Sequence, residues 1–235
     1  MKKIIGGMAL ALLLALSGGA LAQEADISGP LDMEGIERAC IVGENCRISI
    51  FPSEDGQARV FSNYAEGDCA LSARVEDATL YLEARGTMGE ERVTGAVSLE
   101  LPADTDLEIA LDDCGLGAGS FDSWLQGDVT LRADGGGLIE IGVPADYAGK
   151  FRLEMPDRGY ARLHVHEDLA NYTLTVDKRS ARSTLTAYGE QFLFKETGTI
   201  SKMQGDGEAA DIYASLDGNA TVQLIMREKY IPDEE

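Results

Sequence analysis

The sharpest candidate for chemistry in this sequence is a pair of histidines, His164 and His166, separated by a single valine. On a β-strand, residues i and i+2 point to the same face, so the two imidazoles would lie side by side. Together with the carboxylates of Glu167 and Asp168, they could bind a transition-metal ion. The competing interpretation is a solvated pair without a ligand.

The apolar residues around the pair favour the solvated interpretation. Ala161, Leu163 and Val165 alternate with polar residues, which is typical of a strand with one buried face. These three residues would face the core, so His164 and His166 would face water. We therefore expect no bound metal, and the two histidines are the candidate ligands if one is present.

Aspartates crowd the predicted turns, and their carboxylate oxygens are ligands that Ca²⁺ prefers. The residues concerned are Asp104, Asp106, Asp112, Asp113, Asp122 and Asp128. Both the EF-hand loop and the glycine-rich calcium repeat are absent from the sequence. Ordinary turn aspartates are the favoured interpretation, so no cofactor is predicted, and Ca²⁺ is the alternative.

Four cysteines suggest disulfides in an exported protein: Cys40, Cys46, Cys69 and Cys114. Three pairings are possible. Cys40 with Cys46 and Cys69 with Cys114 is favoured, because the first two are close in sequence. With any of the three pairings we expect no free thiol. The spacing is unlike that of a structural zinc site.

Sequence motifs for an activated serine, a zinc-dependent hydrolase and a phosphate-binding loop are absent. Paired carboxylates could cleave a glycoside, but the chain has 41 acidic residues, so any one pair is uninformative. Trp124 could stack on a sugar, although a ring buried at a strand corner is the favoured interpretation. We expect a protein that is not an enzyme, with Trp124 as a candidate binding residue.

The N-terminus predicts export. Two lysines precede an apolar run over 4–16, and the small residues at 20–22 suit a cleavage site. We predict a signal peptide over 1–22 and a flexible arm over 23–34. No later apolar run approaches about 18 residues, so no membrane span is predicted after cleavage. The expected location is extracytoplasmic, either secreted or associated with the cell surface.

The net charge of −21 limits the partners. Such a charge repels nucleic acid and anionic membranes. The expected partner is therefore a protein or a glycan at the cell surface.

A step of 22 residues indicates how these candidates are positioned. Short alternating stretches recur at this step, and stacked similar units explain such a repeat. The recurring positions are Ile139, Ile141 and Val143, then Ala161, Leu163 and Val165, then Ser183, Leu185 and Ala187. These positions predict a buried column that runs from Ile141 through Leu163 to Leu185.

A second column opens at Val129, Phe151 and Tyr172, with steps of 22 and then 21 residues. On the outward face, Glu140 and Arg162 are one step apart and are predicted to pair across neighbouring strands.

The predicted fold is all-β: a single elongated β-solenoid-like stack of short strands, with about 22 residues per repeat and little helix outside the signal peptide. The β-repeat domain is expected over 35–226 and a charged tail over 227–235. Glycines such as Gly115 and Gly117 are assigned to turns between strands, where positive φ is needed. A closed β-sandwich is the alternative fold.

Several stretches resemble the bacterial DUF4097-type putative adhesin family. The opening element Ile36–Ile50 has a strand, a short glycine turn and a second strand, and an acidic turn at 53–56 follows. Val97–Asp104 and the Gly-Asp-Val-Thr-Leu element at 127–131 resemble later strands of the family. The resemblance covers roughly 34–226. It implies a stack of short β-strands in an extracytoplasmic protein.

Three functions remain open from the sequence. The favoured one is a non-catalytic exported module that presents a β face to a partner, as an adhesin or envelope interaction module. The second is a carbohydrate-binding or carbohydrate-active β-helix protein. The third is an accessory protein in envelope-stress sensing.

Overall fold

The computed structural model describes residues 31–62, 69–86, 96–118, 125–166, 168–188, 197–207 and 210–227. These residues contain eighteen β-strands and no helix, which confirms the predicted all-β class. Within them, no helix is long and apolar enough to cross a membrane. The predicted signal peptide and Trp124 lie outside the described residues, as does the charged tail beyond Arg227.

The strands form two nine-stranded sheets. Sheet A contains β1 (Leu31–Met33), β3 (Arg47–Pro52), β4 (Ala58–Ser62), β7 (Ala96–Leu101), β9 (Gly115–Ala118), β11 (Leu138–Val143), β13 (Arg158–His166), β15 (Thr184–Tyr188) and β18 (Asn219–Arg227). Sheet B contains β2 (Arg38–Glu44), β5 (Cys69–Glu76), β6 (Thr79–Gly86), β8 (Asp106–Asp112), β10 (Val129–Asp134), β12 (Lys150–Met155), β14 (Tyr172–Lys178), β16 (Gly198–Gln204) and β17 (Ala210–Leu216).

The chain builds rungs by alternating between the sheets, with one strand in sheet B followed by one in sheet A. Neighbouring rungs pair in parallel. Where the rungs are also consecutive in the chain, their register follows the predicted step of 22 residues, with 23 residues between β9 and β11. Leu107 pairs with Val129, and Val129 pairs with Phe151 in sheet B. Ile141 pairs with Leu163 in sheet A. The stacked architecture predicted from periodicity is confirmed here.

One continuous core lies between the two sheets because each strand turns alternate side chains inward. In β10, Val129 and Leu131 are buried while Thr130 and Arg132 are exposed. Each aliphatic side chain buried in this way contributes roughly 1.5–3 kcal/mol. A single rung could not bury this face alone, so stability depends on stacking.

The order of the rungs in space differs from their order in the chain. The rung of β17 and β18 lies between the β12–β13 rung and the β14–β15 rung. At the other end, the rung of β2 and β3 lies between the β6–β7 rung and the β8–β9 rung. Each terminal region therefore inserts a rung out of sequence order.

This insertion makes the predicted column wrong beyond Leu163. The next residue in register with Leu163 is Leu224 of the inserted β18. Leu185 pairs with Val222, which pairs with Ala161, so Leu185 is two positions away from the predicted row. A repeat in the sequence shows that the units are similar, but it does not show which units are neighbours in the fold.

The second predicted column, from Val129 through Phe151 to Tyr172, is wrong beyond Phe151, where the same rung is inserted. Tyr172 pairs with Ala210, whereas Phe151 pairs with Ile212. Leu174, which also pairs with Ile212, takes the position predicted for Tyr172.

Antiparallel strands cover three edges of the parallel stack. β4 pairs with the edge of β7, β5 with β6, and β16 with β14. Exposed parallel edges would offer unpaired N–H and C=O groups to other chains, so these strands act as caps. β1 in turn pairs with β4, so the last residues of the expected flexible arm, Leu31–Met33, form a strand.

Leu163→Ala should lower the free energy of unfolding by about 2–5 kcal/mol, because the side chain is 1% exposed between two neighbouring rungs. The matched control is Thr130→Ala on the outward face of sheet B, which should cost about 0.5 kcal/mol or less. Urea denaturation of the two variants checks this. Equal losses in both variants would show that the inward and outward faces are misassigned.

Candidate functional site

The structure corrects the expectation that both histidines of β13 face water. His164 is on the outward face by alternation, yet it is only 4% exposed, and its Nε2 atom lies 3.7 Å from Oε1 of Glu140. The His166 side chain is 12% exposed, and its Nδ1 atom accepts a hydrogen bond from the Asp168 N–H at 3.1 Å. Alternation identifies the face of a strand but not whether that face is covered.

The two imidazoles have separate contacts. Nδ1 of His166 already accepts a backbone hydrogen bond. The carboxylate near His164 belongs to Glu140 on β11. Glu167, named as a possible ligand, lies outside the described residues. Within the described ranges, no group of three or more His, Cys, Asp or Glu side chains could hold a metal ion.

The predicted pair of Glu140 and Arg162 is present. The two residues are in register on β11 and β13, and Nη1 of Arg162 donates to Oε1 of Glu140 at 3.0 Å. The hydrogen bond from Arg162 holds the pKa of Glu140 below its usual range. The Arg162 guanidinium also lies 5.5 Å from the centre of the Tyr160 ring. Because both partners are about 40% exposed, water screens the pair and it contributes little to stability.

Turn aspartates hold neighbouring rungs together. Oδ1 of Asp106 accepts the Asp128 N–H at 2.8 Å, and Oδ1 of Asp128 accepts the Lys150 N–H at 2.8 Å. Oδ1 of Asp113 accepts the Gly136 N–H at 2.7 Å in the same way. Each carboxylate satisfies a backbone donor at the start of a strand or turn one rung away. This structural role accounts for three of the aspartates considered as calcium ligands.

The cysteines are arranged differently from the favoured pairing. Cys46 lies against Cys114, with 3.1 Å between the Sγ atoms. Cys40 is half-buried on β2, with Sγ 4.0 Å from the Glu108 carboxylate, and does not contact Cys46. Cys69 begins β5, and its side chain is outside the described part of the structure. Proximity in sequence was misleading because neighbouring rungs, and not neighbouring residues, bring side chains together.

Within the described part of the structure, a groove on the outward face of sheet A is a candidate binding site. It encloses about 660 Å³, a size typical of ligand pockets. Gly115 and Gly117 of β9 form its floor, between β3 and β11. The residues that line it are Asn45, Cys46, Arg47, Asp113, Gly115, Leu116, Gly117, Gly136, Gly137, Leu138, Glu140 and Arg158.

Packing among the described residues does not require glycine at the groove floor. A Cβ atom at Gly117 would meet no described atom within 4 Å, and one at Gly115 would make only ordinary contacts. By contrast, a Cβ at Gly137 would lie 1.6 Å from the Cys114 carbonyl oxygen. Glycine weakens a strand and often marks the close approach of a ligand or another backbone.

Sequence reasoning missed this floor because it assigned Gly115 and Gly117 to turns. Both residues lie inside β9, and neither has positive φ. The available signal was their spacing: two glycines at i and i+2 around Leu116 share one face of a strand, and that face lacks side chains.

The walls of the groove combine apolar and charged groups. Leu138 is 41% exposed on one wall and Arg47 lies on the other. At one end, Arg158 forms an ion pair with Asp113, with Nη2 at 3.2 Å from each carboxylate oxygen. An extended ligand could place an apolar part on Leu138 and polar groups on these charges.

Comparison with solved structures supports the fold. The chain is similar to a protein from Clostridium sporogenes described as a putative cell adhesion protein, with 12% identity and a TM-score of 0.58. The match covers 85% of this chain and 100% of the other. A protein from Bacteroides fragilis described as a putative adhesin matches with 9% identity over 83% of this chain and 96% of the other. Its TM-score of 0.25 is too low to support an argument.

No family model matches the sequence, and no curated protein matches it. The similarity to the Clostridium protein therefore supports a shared architecture and leaves the DUF4097-type family as a resemblance.

Asp128→Ala should lower the free energy of unfolding by about 1–2 kcal/mol, because the Lys150 N–H loses a charged acceptor. Asp146→Ala, which changes an exposed turn aspartate, should cost about 0.5 kcal/mol or less. Urea denaturation compares the two variants. Equal stability in the two variants would contradict the role of the Asp128 carboxylate as acceptor for the Lys150 N–H.

Chelation should leave the melting temperature of the wild-type protein unchanged, since the carboxylates of Asp106, Asp113 and Asp128 already accept backbone hydrogen bonds. Differential scanning calorimetry with EDTA and with millimolar Ca²⁺ checks this. A rise of several degrees with Ca²⁺ alone would instead support the calcium alternative.

Proposed function

We propose that this protein is a non-catalytic, exported interaction module of the adhesin type, which binds an extended segment of a cell-surface partner in the groove of sheet A. The partner segment would lie over the glycine floor of β9, parallel to the strands. The single observation that carries this proposal is the presence of two strand glycines that the described packing does not require.

The missing side chains give a partner close access to the backbone. In an ordinary strand of this stack, outward positions carry long polar side chains, as in Arg132 and Glu154 of neighbouring rungs. At Gly115 and Gly117 these side chains are absent, so a ligand could reach the sheet surface. A close approach would also remove water from the exposed apolar surface of Leu138 on the groove wall, and burial of apolar surface favours binding.

Ion pairs at the rim support binding without large rearrangement. Arg158 is held by Asp113 at one end, and Glu140 is held by Arg162 on the wall. Side chains already fixed by neighbours lose less conformational entropy when a ligand binds. A partner could then add hydrogen bonds to the free faces of these groups.

Export and a surface location are supported by the sequence rather than by the groove. The predicted signal peptide over 1–22 directs the chain out of the cytoplasm. The adhesive role draws on the sequence resemblance and on the printed description of the Clostridium protein. Neither source names a partner for this chain.

Carbohydrate binding is the second candidate, because the groove lies beside an aromatic ring. Tyr160 is in register with Leu138, and its ring is close to the Arg162 guanidinium. Sugars bind through apolar stacking combined with carboxylate and guanidinium hydrogen bonds, and this wall offers all three groups.

Gly117→Tyr tests the proposal, because a Cβ atom at this position would meet no described atom within 4 Å and the ring beyond it would occupy the groove. The matched control is Thr130→Tyr, which adds the same ring to the outward face of sheet B. Both variants should keep the wild-type melting temperature, since tyrosine suits a strand. Binding is measured on an array of glycans and on immobilised envelope and extracellular-matrix glycoproteins.

We expect the wild type and Thr130→Tyr to bind at least one of these surfaces, and Gly117→Tyr to lose at least tenfold in affinity. Binding to a glycan would support the carbohydrate candidate. Binding to a deglycosylated protein would support the first proposal, an interaction module that binds an extended protein segment. Absence of binding to every surface, or equal binding by both variants, would contradict the proposal.

A further inference from the structure

Two neighbouring rungs turn from sheet B to sheet A through equivalent corners. The first corner is Asn45-Cys46, between β2 and β3, and the second is Asp113-Cys114, between β8 and β9. Asn45 and Asp113 both adopt the left-handed conformation, with φ of 51° and 49°. The cysteine that follows each of them therefore takes the same position in its rung.

Stacking of these rungs brings the two cysteine side chains into contact. The Sγ atoms of Cys46 and Cys114 are 3.1 Å apart, and the Cys46 N–H donates to Sγ of Cys114 at 3.2 Å. The two residues are 0% and 1% exposed. The contact therefore lies inside the core and not at the surface of the groove.

Other atoms surround the two thiols closely. A Cβ atom at Gly43 would already lie 3.0 Å from Sγ of Cys114, and Sγ of Cys46 is 3.6 Å from the Ala84 carbonyl oxygen. Tight packing on both sides holds the sulfur atoms against each other. In this folded contact, the hydrogen bond from the Cys46 thiol lowers the pKa of Cys114.

We propose that Cys46 and Cys114 form a disulfide in the exported protein, and that this bond fastens the inserted β2–β3 rung to the β8–β9 rung. The oxidant would be the disulfide of an exported thiol–disulfide oxidoreductase. The Cys114 thiolate attacks one sulfur of that disulfide and expels the other as a thiolate. The Cys46 thiolate then displaces the oxidoreductase, which leaves as a dithiol.

Electrons and protons balance in this exchange. Cys46 and Cys114 together lose two electrons and two protons, and the carrier disulfide gains both. The first attack requires an accessible thiolate, so the bond forms before the two rungs close over the corner. Once formed, it is shielded from reductants by the core.

The other two cysteines are too far apart to form a second bridge. Cys40 is in register with Tyr81 of β6, and Tyr81 pairs with Arg74 of β5. Cys69 lies five residues from Arg74 along β5, so its Cα is about 19 Å from that of Cys40. A disulfide needs Cα atoms within about 7 Å. Two thiols should therefore remain, in place of the none expected from the even cysteine count.

The proposed bond acts where the chain order is irregular. It closes the chain segment from Cys46 to Cys114, which contains the capping strands β4 and β5 and the terminal β6–β7 rung. The inserted β2–β3 rung must separate from the β8–β9 rung before this end of the stack can unfold. The bond joins these two rungs, so it opposes that separation.

Peptide mapping of the full chain after export to a bacterial periplasm tests the proposal. Unreduced, denatured protein should take up two alkyl groups, and mass spectrometry should find one bridge between the peptides containing Cys46 and Cys114. Uptake of four groups, or a bridge with any other partner, would overturn the proposal. This measurement uses the wild-type protein, so it does not depend on whether a variant folds.

Wild-type protein that is unfolded with a reductant and refolded in its presence should melt roughly 8–16 °C below the oxidised protein, from the size of the closed loop and of the domain. Cys40→Ser is the matched control and should keep this shift. The double variant Cys46→Ala and Cys114→Ala should melt at the same temperature with and without reductant. A shift that persists in the double variant, or disappears in Cys40→Ser, would also overturn the proposal.

Discussion

The structure depends on parallel pairing between rungs, since no rung can bury its own apolar side chains. Each strand turns every second residue toward the opposite sheet, and the backbone ladder places like residues above one another. Leu107, Val129 and Phe151 form one such row, and Ile141 and Leu163 belong to another. The corners add a second ladder, in which the carboxylates of Asp106 and Asp128 accept N–H groups from the next rung.

The two inserted rungs place a limit on how this stack can assemble. Rungs β8–β9, β10–β11 and β12–β13 follow one another in both sequence and space, so their pairing closes shorter loops than the pairing of the inserted rungs does. The β17–β18 rung must enter between strands that precede it in the chain, and the β2–β3 rung pairs with two strands that follow it. These long connections give the ends a higher entropic cost, which the antiparallel caps and the proposed disulfide offset. The groove lies where the inserted strand β3 meets the sequential strands β9 and β11.

Sequence patterns predicted the regular part of the molecule and failed at the insertions. The 22-residue step gave the correct register for Ile141 with Leu163 and the correct pairing of Glu140 with Arg162, because those rungs are sequential. It placed Leu185 next to Leu163, where Leu224 lies, because an internal repeat does not encode the order in which units stack.

The candidate site was predictable only in part, for the same physical reason. Burial of His164 and contact between Cys46 and Cys114 both depend on which rungs are neighbours. The glycine floor had a local signal, the i and i+2 spacing of Gly115 and Gly117, but glycine abundance in turns concealed it.

Hydrogen–deuterium exchange across β13, β15 and β18 tests the inserted rung order most directly. In the structure, β18 is paired on both sides, with β13 and β15, whereas among the described strands β15 pairs with β18 alone. Amides of 219–227 should therefore exchange as slowly as those of β13 and more slowly than those of β15. If 219–227 exchanged faster than β15, as the last rung of a sequential stack would, the inserted order and the account built on it would be contradicted.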